Sequence, residues 1–336
     1  MKNDKIITVS VAAYNLGKLI EKNIKSFIKC KKKDKIEVLI INDGSTDNTK
    51  EIVEKYEKEY PDIIKLINKK NAGAGSTVNV GIENASGKYF RMVDGDDWID
   101  SSNFDILIEK LEDTDVDMVL NNYEIFDAEK NKCIEECRVM GINKKNQIID
   151  FKNINKSFSL VMHQVIFKTE ILKNNKIKLD NGFYTDIEYL LYPLPYVKNF
   201  IYYDFSVYIY MVAREGQSMS FSSLQKHIED HQLVLNNLIE FYKVSNKKFD
   251  ANKKNLVIKK ISNIATNQLQ TLLTFNDYNY VKKNIEDMNE KLKSECYEIY
   301  KFYKRNSKKA FLLIASNNLL LRYIMKNYQR KNKRKG

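Results

Sequence analysis

Through the first hundred residues, short β-branched runs alternate with stretches of helical spacing. Strands are predicted at Ile6–Ala12, Ile36–Ile41, Ile63–Ile67 and Tyr89–Val93. Between them Leu19, Ile20, Ile24, Phe27 and Ile28 recur at the helical period, as do Ile52, Val53 and Tyr56. The second of these helices has Ser45 or Thr46 as its N-cap and Pro61 as its stop. Such alternation gives parallel strands joined by crossover helices, here a βαβαβαβ half-sheet. Three strand ends carry polar residues: Tyr14-Asn15, Asn42-Asp43-Gly44-Ser45 and Asp94-Gly95-Asp96-Asp97. Ligands of open α/β sheets bind outside the carboxyl ends of the strands, so the three clusters are expected to share one crevice.

Beyond Ser101 the pattern is mixed. A helix is predicted over Phe104–Leu111, a strand over Val116–Leu120, and a less regular Lys- and Asn-rich stretch over 143–156. After Ser222 strand and turn signals fade, and segments such as Leu224–Tyr242 and Asn255–Leu273 read as amphipathic helices. With 336 residues, 43% of them apolar, the chain can fill a real core. Its longest apolar stretches, such as Ala310–Ala315, fall well short of the roughly 20 residues of a membrane-spanning helix. Met1 to Lys5 lead into a strand rather than a secretory signal, so the cytoplasm is the expected compartment. Cys30, Cys133, Cys137 and Cys296 are too scattered for a disulfide framework or a zinc site.

The formal charge of +12 does not indicate a nucleic-acid partner, because 44 acidic residues are interspersed with the 56 basic ones. The excess sits at the end of the chain. Arg322, Lys326, Arg330, Lys331, Lys333, Arg334 and Lys335 follow the apolar segment Phe311–Leu321 with no acid among them. That arrangement suits peripheral contact with an anionic membrane surface, as on the inner face of a cell membrane, although a solvated terminal tail has the same composition.

Asp94-Gly95-Asp96-Asp97 follows a hydrophobic run directly, with a glycine that lets the backbone turn. Gathering that much negative charge is costly, and a hard divalent cation such as Mg2+ or Mn2+ removes the cost while engaging a substrate's phosphates. A solvated acidic turn is the alternative. His227 and His231, four apart, complete no zinc motif and read as a packed or solvated pair, with completion of the divalent metal's shell by one of them as the alternative.

Several segments carry a resemblance. Ile36 to Asp47, ending Asn42-Asp43-Gly44-Ser45-Thr46-Asp47, resembles the strand and Asp-Gly-Ser turn of family 2 glycosyltransferases. Thr8 to Asn15, Asn71-Ala72-Gly73, Asn79-Val80-Gly81, Ala85 to Phe90 and Asp94 to Trp98 follow in that family's order and spacing. Two departures stand out: Thr77-Val78-Asn79 where Ala-Arg-Asn is frequent, and Asn42 where a paired Asp is commoner. The resemblance implies a GT-A fold: an α/β, Rossmann-like, mostly parallel central sheet flanked by helices, here with a helical C-terminal region. It divides the chain into a nucleotide-sugar half (1–100), an acceptor half (101–221) and a helical region with a basic tail (222–336).

What the resemblance implies about residues is specific. Asp43 would read a uracil N–H, with Tyr14 and Ala12 flanking the base. Asp94 would hold ribose, and Asp94, Asp96 and Asp97 would bind Mn2+ or Mg2+ at the diphosphate. Phe183 to Tyr189 resembles the place where the family supplies its base, which makes Asp186 the candidate and Glu188 the fallback. Tyr208 to Ser218 looks like the loop that follows the catalytic half, assigning Arg214, Gln217 and Ser218 to diphosphate or acceptor, together with Trp98 and His163. The implied reaction is inverting transfer from a nucleoside-diphosphate sugar, UDP-linked by preference, to a saccharide or lipid-linked saccharide in bacterial surface polysaccharide synthesis. The alternatives are a nucleotide-sugar-binding homologue without turnover and a non-catalytic polyanion or membrane module. A dinucleotide oxidoreductase fits poorly, since Gly73-Ala74-Gly75 follows the third strand instead of the first.

Overall fold

The computed structural model describes residues 5–181, 184–213 and 221–332. The apolar runs become strands covered on both faces, which is why they show little alternation. β1 (Ile7–Ala13), α1 (Ile20–Ile28), β2 (Ile36–Asn42), α2 (Thr49–Glu59), β3 (Ile64–Asn68), α3 (Ala74–Asn84) and β4 (Tyr89–Asp94) form a parallel half-sheet in the order β3-β2-β1-β4. Ile7, Val9 and Val11 of β1 and Val38 to Ile41 of β2 have no exposed surface. Polar ties fix the register at the far end of the sheet. Thr8 donates to Glu37 at 2.6 Å and accepts the Gly87 N–H at 2.8 Å, while Ser86 N–H bonds the same glutamate at 2.8 Å.

The chain continues through β5 (Trp98–Ile99), α4 (Ser101–Glu112), β6 (Met118–Asp127), β7 (Lys132–Cys137), β8 (Ile148–Asp150), β9 (Val165–Lys168), α5 (Thr169–Asn174), α6 (Asp186–Leu191) and β10 (Asn199–Val212). The sheet extends as β4-β9-β6-β10-β5, with β9 antiparallel to its neighbours and β10 parallel to β6. β7 joins β6, and β8 joins β10.

Three expectations are corrected. β6 runs on to Asp127, past Asn121 and Asn122, because both buried amides are matched: Asn121 accepts from Arg91 at 2.9 Å, and Asn122 donates to Asp204 at 3.0 Å and accepts from the Tyr202 hydroxyl at 2.8 Å. Tyr208 to Val212, read as loop, complete β10, with Ile209 paired to Trp98. α2 starts at Thr49, not after Ser45 or Thr46, because those residues bond Asn15: Thr46 N–H donates to its Oδ1 at 2.8 Å and Ser45 Oγ accepts its N–H at 3.0 Å.

The segment leading into α6 is pinned from two sides. Asn79 on α3 accepts the Leu179 N–H at 2.9 Å and donates to the Leu179 carbonyl at 2.8 Å. Glu188, wholly buried, accepts from Asp180 N–H at 2.8 Å and the Tyr192 hydroxyl at 2.7 Å. Burial pushes its carboxyl up to about 7.

Met1–Glu215 and Gly216–Gly336 are separate compact units. The second contains α7 (Phe221–Lys226), α8 (Ile228–Ser245), α9 (Ala251–Leu272), α10 (Tyr278–Glu295), α11 (Tyr297–Asn306), α12 (Lys308–Ala315) and α13 (Leu321–Asn332). The expected helix over 224–242 breaks at His227. Asp250 and Asp277 start α9 and α10 by accepting two backbone N–H groups each. α9 packs against both α8 and α11. His227 bonds Asp230 at 2.8 Å and His231 bonds Gln268 at 2.6 Å. Among the described residues, no helix is long and apolar enough to cross a membrane.

These ties lead to two expected outcomes. A Cβ on Gly87 would lie 2.5 Å from Thr8 N and 2.6 Å from the Ile7 carbonyl carbon, both backbone atoms, so Gly87→Ala is expected to cost about 2 kcal/mol in urea denaturation. Glu188 takes up its proton more readily folded than unfolded, so its contribution is complete below the ordinary glutamate range and is lost as pH rises through about 7. Urea midpoints of the wild type should therefore fall between pH 5 and pH 7.5, by a term on the order of 3 kcal/mol at most, and Glu188→Gln should flatten that dependence.

Candidate active site

Pairing brings the carboxyl ends of β2, β1 and β4 level. Ala12 lies opposite both Ile41 and Asp94, and Ala13 opposite Asn42, so the residues just beyond each strand share one rim. Tyr14 stands half exposed there. Asp43 is only 4% exposed, and its carboxylate organises the next loop. It accepts the Ala72 and Gly73 N–H groups at 3.0 Å each and pairs with Lys69. That leaves a lone pair of Oδ2 for a ligand.

The loop after β4 is folded tightly onto β1. Gly95 N–H donates to the Ala12 carbonyl at 3.1 Å, and a Cβ at residue 95 would sit 2.6 Å from that oxygen. Close approach, rather than an unusual backbone turn, is what demands glycine here. Asn23 of α1 holds the loop from behind, donating to the Asp97 carbonyl at 2.8 Å and that of Asp94 at 3.3 Å. Asp94 and Asp96 are half-buried, whereas Asp97 is 1% exposed. Its two oxygens accept the Tyr208 hydroxyl at 2.5 Å and the Met211 N–H at 2.8 Å. Burial first, then Asp94 and Asp96, push its carboxyl well above the usual range. Each Asp97 oxygen accepts one hydrogen bond from β10 and keeps a second lone pair.

His163 completes the cluster. Its ring lies 4.6 Å from those of Tyr208 and Tyr210 and 5.0 Å from Tyr123. Ligand atoms of Asp94, Asp97 and His163 fall within 4.8 Å of one another. The buried His163 Nδ1 has no hydrogen-bond partner, and burial, aided by Arg91, lowers the imidazole to about 3, which keeps it neutral. A neutral imidazole beside two carboxylates is a donor set that fits a divalent cation such as Mn2+. Arg91 itself is fully buried; it donates to Asn121 at 2.9 Å and to the His163 carbonyl at 2.5 Å, and desolvation lowers it to about 10. Arg91, Asn23 and Tyr208 escaped the sequence reading. The available signal was a charged residue inside the apolar run Tyr89 to Val93.

Asp186 is exposed at the first position of α6, which packs on the turn containing His163. Glu188, the fallback base, is buried and hydrogen-bonded, with no surface to offer an acceptor. Trp98 packs edge-on against Phe126 at 5.0 Å, with the Lys22 ammonium 3.1 Å from its ring centroid. Arg214, Gln217 and Ser218 lie outside the described residues.

Residues 8–174 match the family model described as Glycosyl transferase family 2. Among curated proteins, glycosyltransferase GlyG of Streptococcus pneumoniae serotype 4 is 28% identical over 188 residues, covering 53% of this chain and 61% of its own. GlyA of the same organism is 27% identical over 238 residues, 67% of this chain and 33% of its own, so the match spans less than two thirds of either relative. Among solved structures, Staphylococcus aureus TarS 1-349 in complex with UDP-GlcNAc superposes with a TM-score of 0.66 at 18% identity, over 96% of this chain and 89% of that one. The mannosyltransferase PcManGT of Pyrobaculum calidifontis, in complex with GDP-Man and Mn2+, gives 0.50 at 14% identity, over 96% and 83%. At such identities the likeness is one of fold. The matched segment, bearing the strand-end carboxylates on a sheet of GT-A type, shows that the chain belongs to glycosyl transferase family 2.

Proposed function

We propose that this protein is an inverting hexosyltransferase that moves a sugar from a nucleoside diphosphate, UDP by preference, to a saccharide or lipid-linked saccharide of a bacterial surface polysaccharide. The observation that carries the reading is the grouping of ligand atoms of Asp94, Asp97 and His163 within 4.8 Å, at the end of β4, with Asp43 just beyond the end of β2 in the same parallel half-sheet. TarS in complex with UDP-GlcNAc, on the same fold, supports the choice of uridine.

In this reading Tyr14 and Ala12 flank the base and the remaining lone pair of Asp43 accepts its ring N–H. Asp94 takes the ribose. Asp94, Asp97 and His163, with Asp96 beside them, would hold Mn2+ or Mg2+, which when bound would supply positive charge at the diphosphate. Through Tyr208 and Met211, Asp97 also fastens the carboxylate loop to β10. Arg214, Gln217 and Ser218 come after β10 and are assigned to the diphosphate or acceptor by resemblance alone. Asp186 receives the proton of the attacking hydroxyl, which is a weak nucleophile until that proton leaves. A single displacement through an oxocarbenium-like transition state inverts the anomeric centre.

The helical unit supports a second element of the proposal, peripheral membrane contact. Asn317 and Asn318, at φ 46° and 62°, end α12 and turn Leu319 outward, 87% exposed. Leu320, Phe311 and Tyr323 are exposed beside it, among Lys308, Lys309, Arg322 and Lys326. Exposed apolar groups ringed by cations fit an anionic bilayer surface.

Incubating a panel of nucleotide sugars with Mn2+ and scoring nucleoside diphosphate release tests the donor assignment. A UDP-sugar should be turned over slowly without acceptor, and Asp94→Ala or Asp96→Ala should abolish this. Asp186→Ala should lower acceptor glycosylation by roughly 100-fold or more while donor affinity changes less than about twofold. Undiminished transfer would remove Asp186 as the base. In vesicle co-sedimentation, the chain should bind phosphatidylglycerol-rich membranes in preference to neutral ones, and Leu319→Glu should weaken that binding.

A further inference from the structure

A cleft of about 830 Å³ opens along α1, and of its lining residues only Trp98 was assigned to diphosphate or acceptor above. Lys18, Lys22, Lys25 and Lys29 line one side of it, and Trp98 and Phe126 supply aromatic surface. Lys22 Nζ lies 3.1 Å from the Trp98 ring centroid and 4.4 Å from that of Phe126. The carboxylates of the lining are already engaged. Asp100 accepts from Asn103 N–H at 2.8 Å to start α4, Glu21 accepts from the Tyr56 hydroxyl at 2.6 Å and pairs with Lys25 at 3.2 Å, and Glu124 bonds the Cys133 thiol. The side chains of Lys18, Lys22 and Lys29 make no hydrogen bond or ion pair among the described residues. The four lysines outnumber the three carboxylates of the lining, Glu21, Asp100 and Glu124, so the concave site carries a small excess of positive charge. Partial burial against the rings also disfavours the charged form of Lys22, a cost that an anion would relieve.

The cleft adjoins the carboxylate loop. Asn23, on the same helix as Lys22, holds the Asp94 and Asp97 carbonyls, and Trp98 follows Asp97 directly. An acceptor chain whose terminal hydroxyl reaches that loop can lay its next units across the indole face, where sugar C–H groups pack well, and on toward the lysines. We propose that this cleft binds an anionic group, phosphate or carboxylate, carried by the acceptor saccharide. The assignment to the acceptor rests on the transferase reading above; the presence of an anion site does not.

Trp98 is the single tryptophan of the chain, so its emission reports on this cleft alone. The intact protein is titrated with a polygalacturonate oligomer, a phosphodiester-linked saccharide oligomer, a dextran oligomer of equal length, and phosphatidylglycerol vesicles. Both anionic oligomers should shift Trp98 emission saturably, more weakly as salt rises, while dextran does not. Lys18→Gln/Lys29→Gln should raise their Kd about tenfold and leave acceptor-independent nucleoside diphosphate release from a UDP-sugar unchanged. Lys22→Gln should remove most of the emission change, and Lys22→Arg should restore it. An equal response to dextran, or a Kd unmoved in the double variant, overturns the proposal, and a response to vesicles alone reassigns the cleft to lipid headgroups and overturns it too. If the anionic oligomers bind but no nucleotide sugar binds or is turned over, the transferase reading fails and takes the acceptor assignment with it. If nucleotide sugars are turned over and the oligomers do not bind, only the cleft proposal fails.

Discussion

The active-site rim rests on a repulsion that the fold contains without cancelling it. Asp94, Asp96 and Asp97 stand within four residues, and the third is sunk into the core, where charge is expensive. Its carboxyl is held by one phenol and one backbone amide, both from β10. The long strand β10 and the loop that carries the carboxylates are thereby fastened at one point. Burial, with the buried guanidinium of Arg91 adding to it, keeps His163 neutral nearby, and Arg91 forms no ion pair among the described residues. The site thus gathers carboxylates at the rim and ties one of them into the core.

The parallel half-sheet was legible because its strands are apolar through and through and its crossovers keep helical period. The carboxylate loop was legible because charge directly after a buried strand has few uses. The second half of the sheet was harder to read. β6 contains Asn121 and Asn122, β10 contains Asp204 and Ser206, and no local pattern marks such residues as strand interior; they are tolerated because partners from distant segments satisfy them. Turn chemistry misled in the same way at Ser45 and Thr46, whose preference for capping a helix lost to bonds with Asn15 across the rim.

Within the site, the chemistry of single residues was easier to foresee than their division of labour. Asp43 carries the expected carboxylate at the expected strand end, yet most of its hydrogen-bonding capacity shapes residues 69 to 73. Asp97 belongs to the motif and also serves as an anchor. Of the two acids near the start of α6, one faces water and the other is buried, a distinction set by helical geometry and packing that composition alone does not supply.

Asn79 has a bearing on how such enzymes could diversify. Its amide grips Leu179 through both backbone groups, so α3 and the segment leading into α6 are joined by a two-point clasp. The two stretches are therefore not freely interchangeable modules. A chimera that borrowed the later stretch from a relative would need a matching backbone under Asn79, or α6 would arrive out of alignment with the rim of the parallel strands.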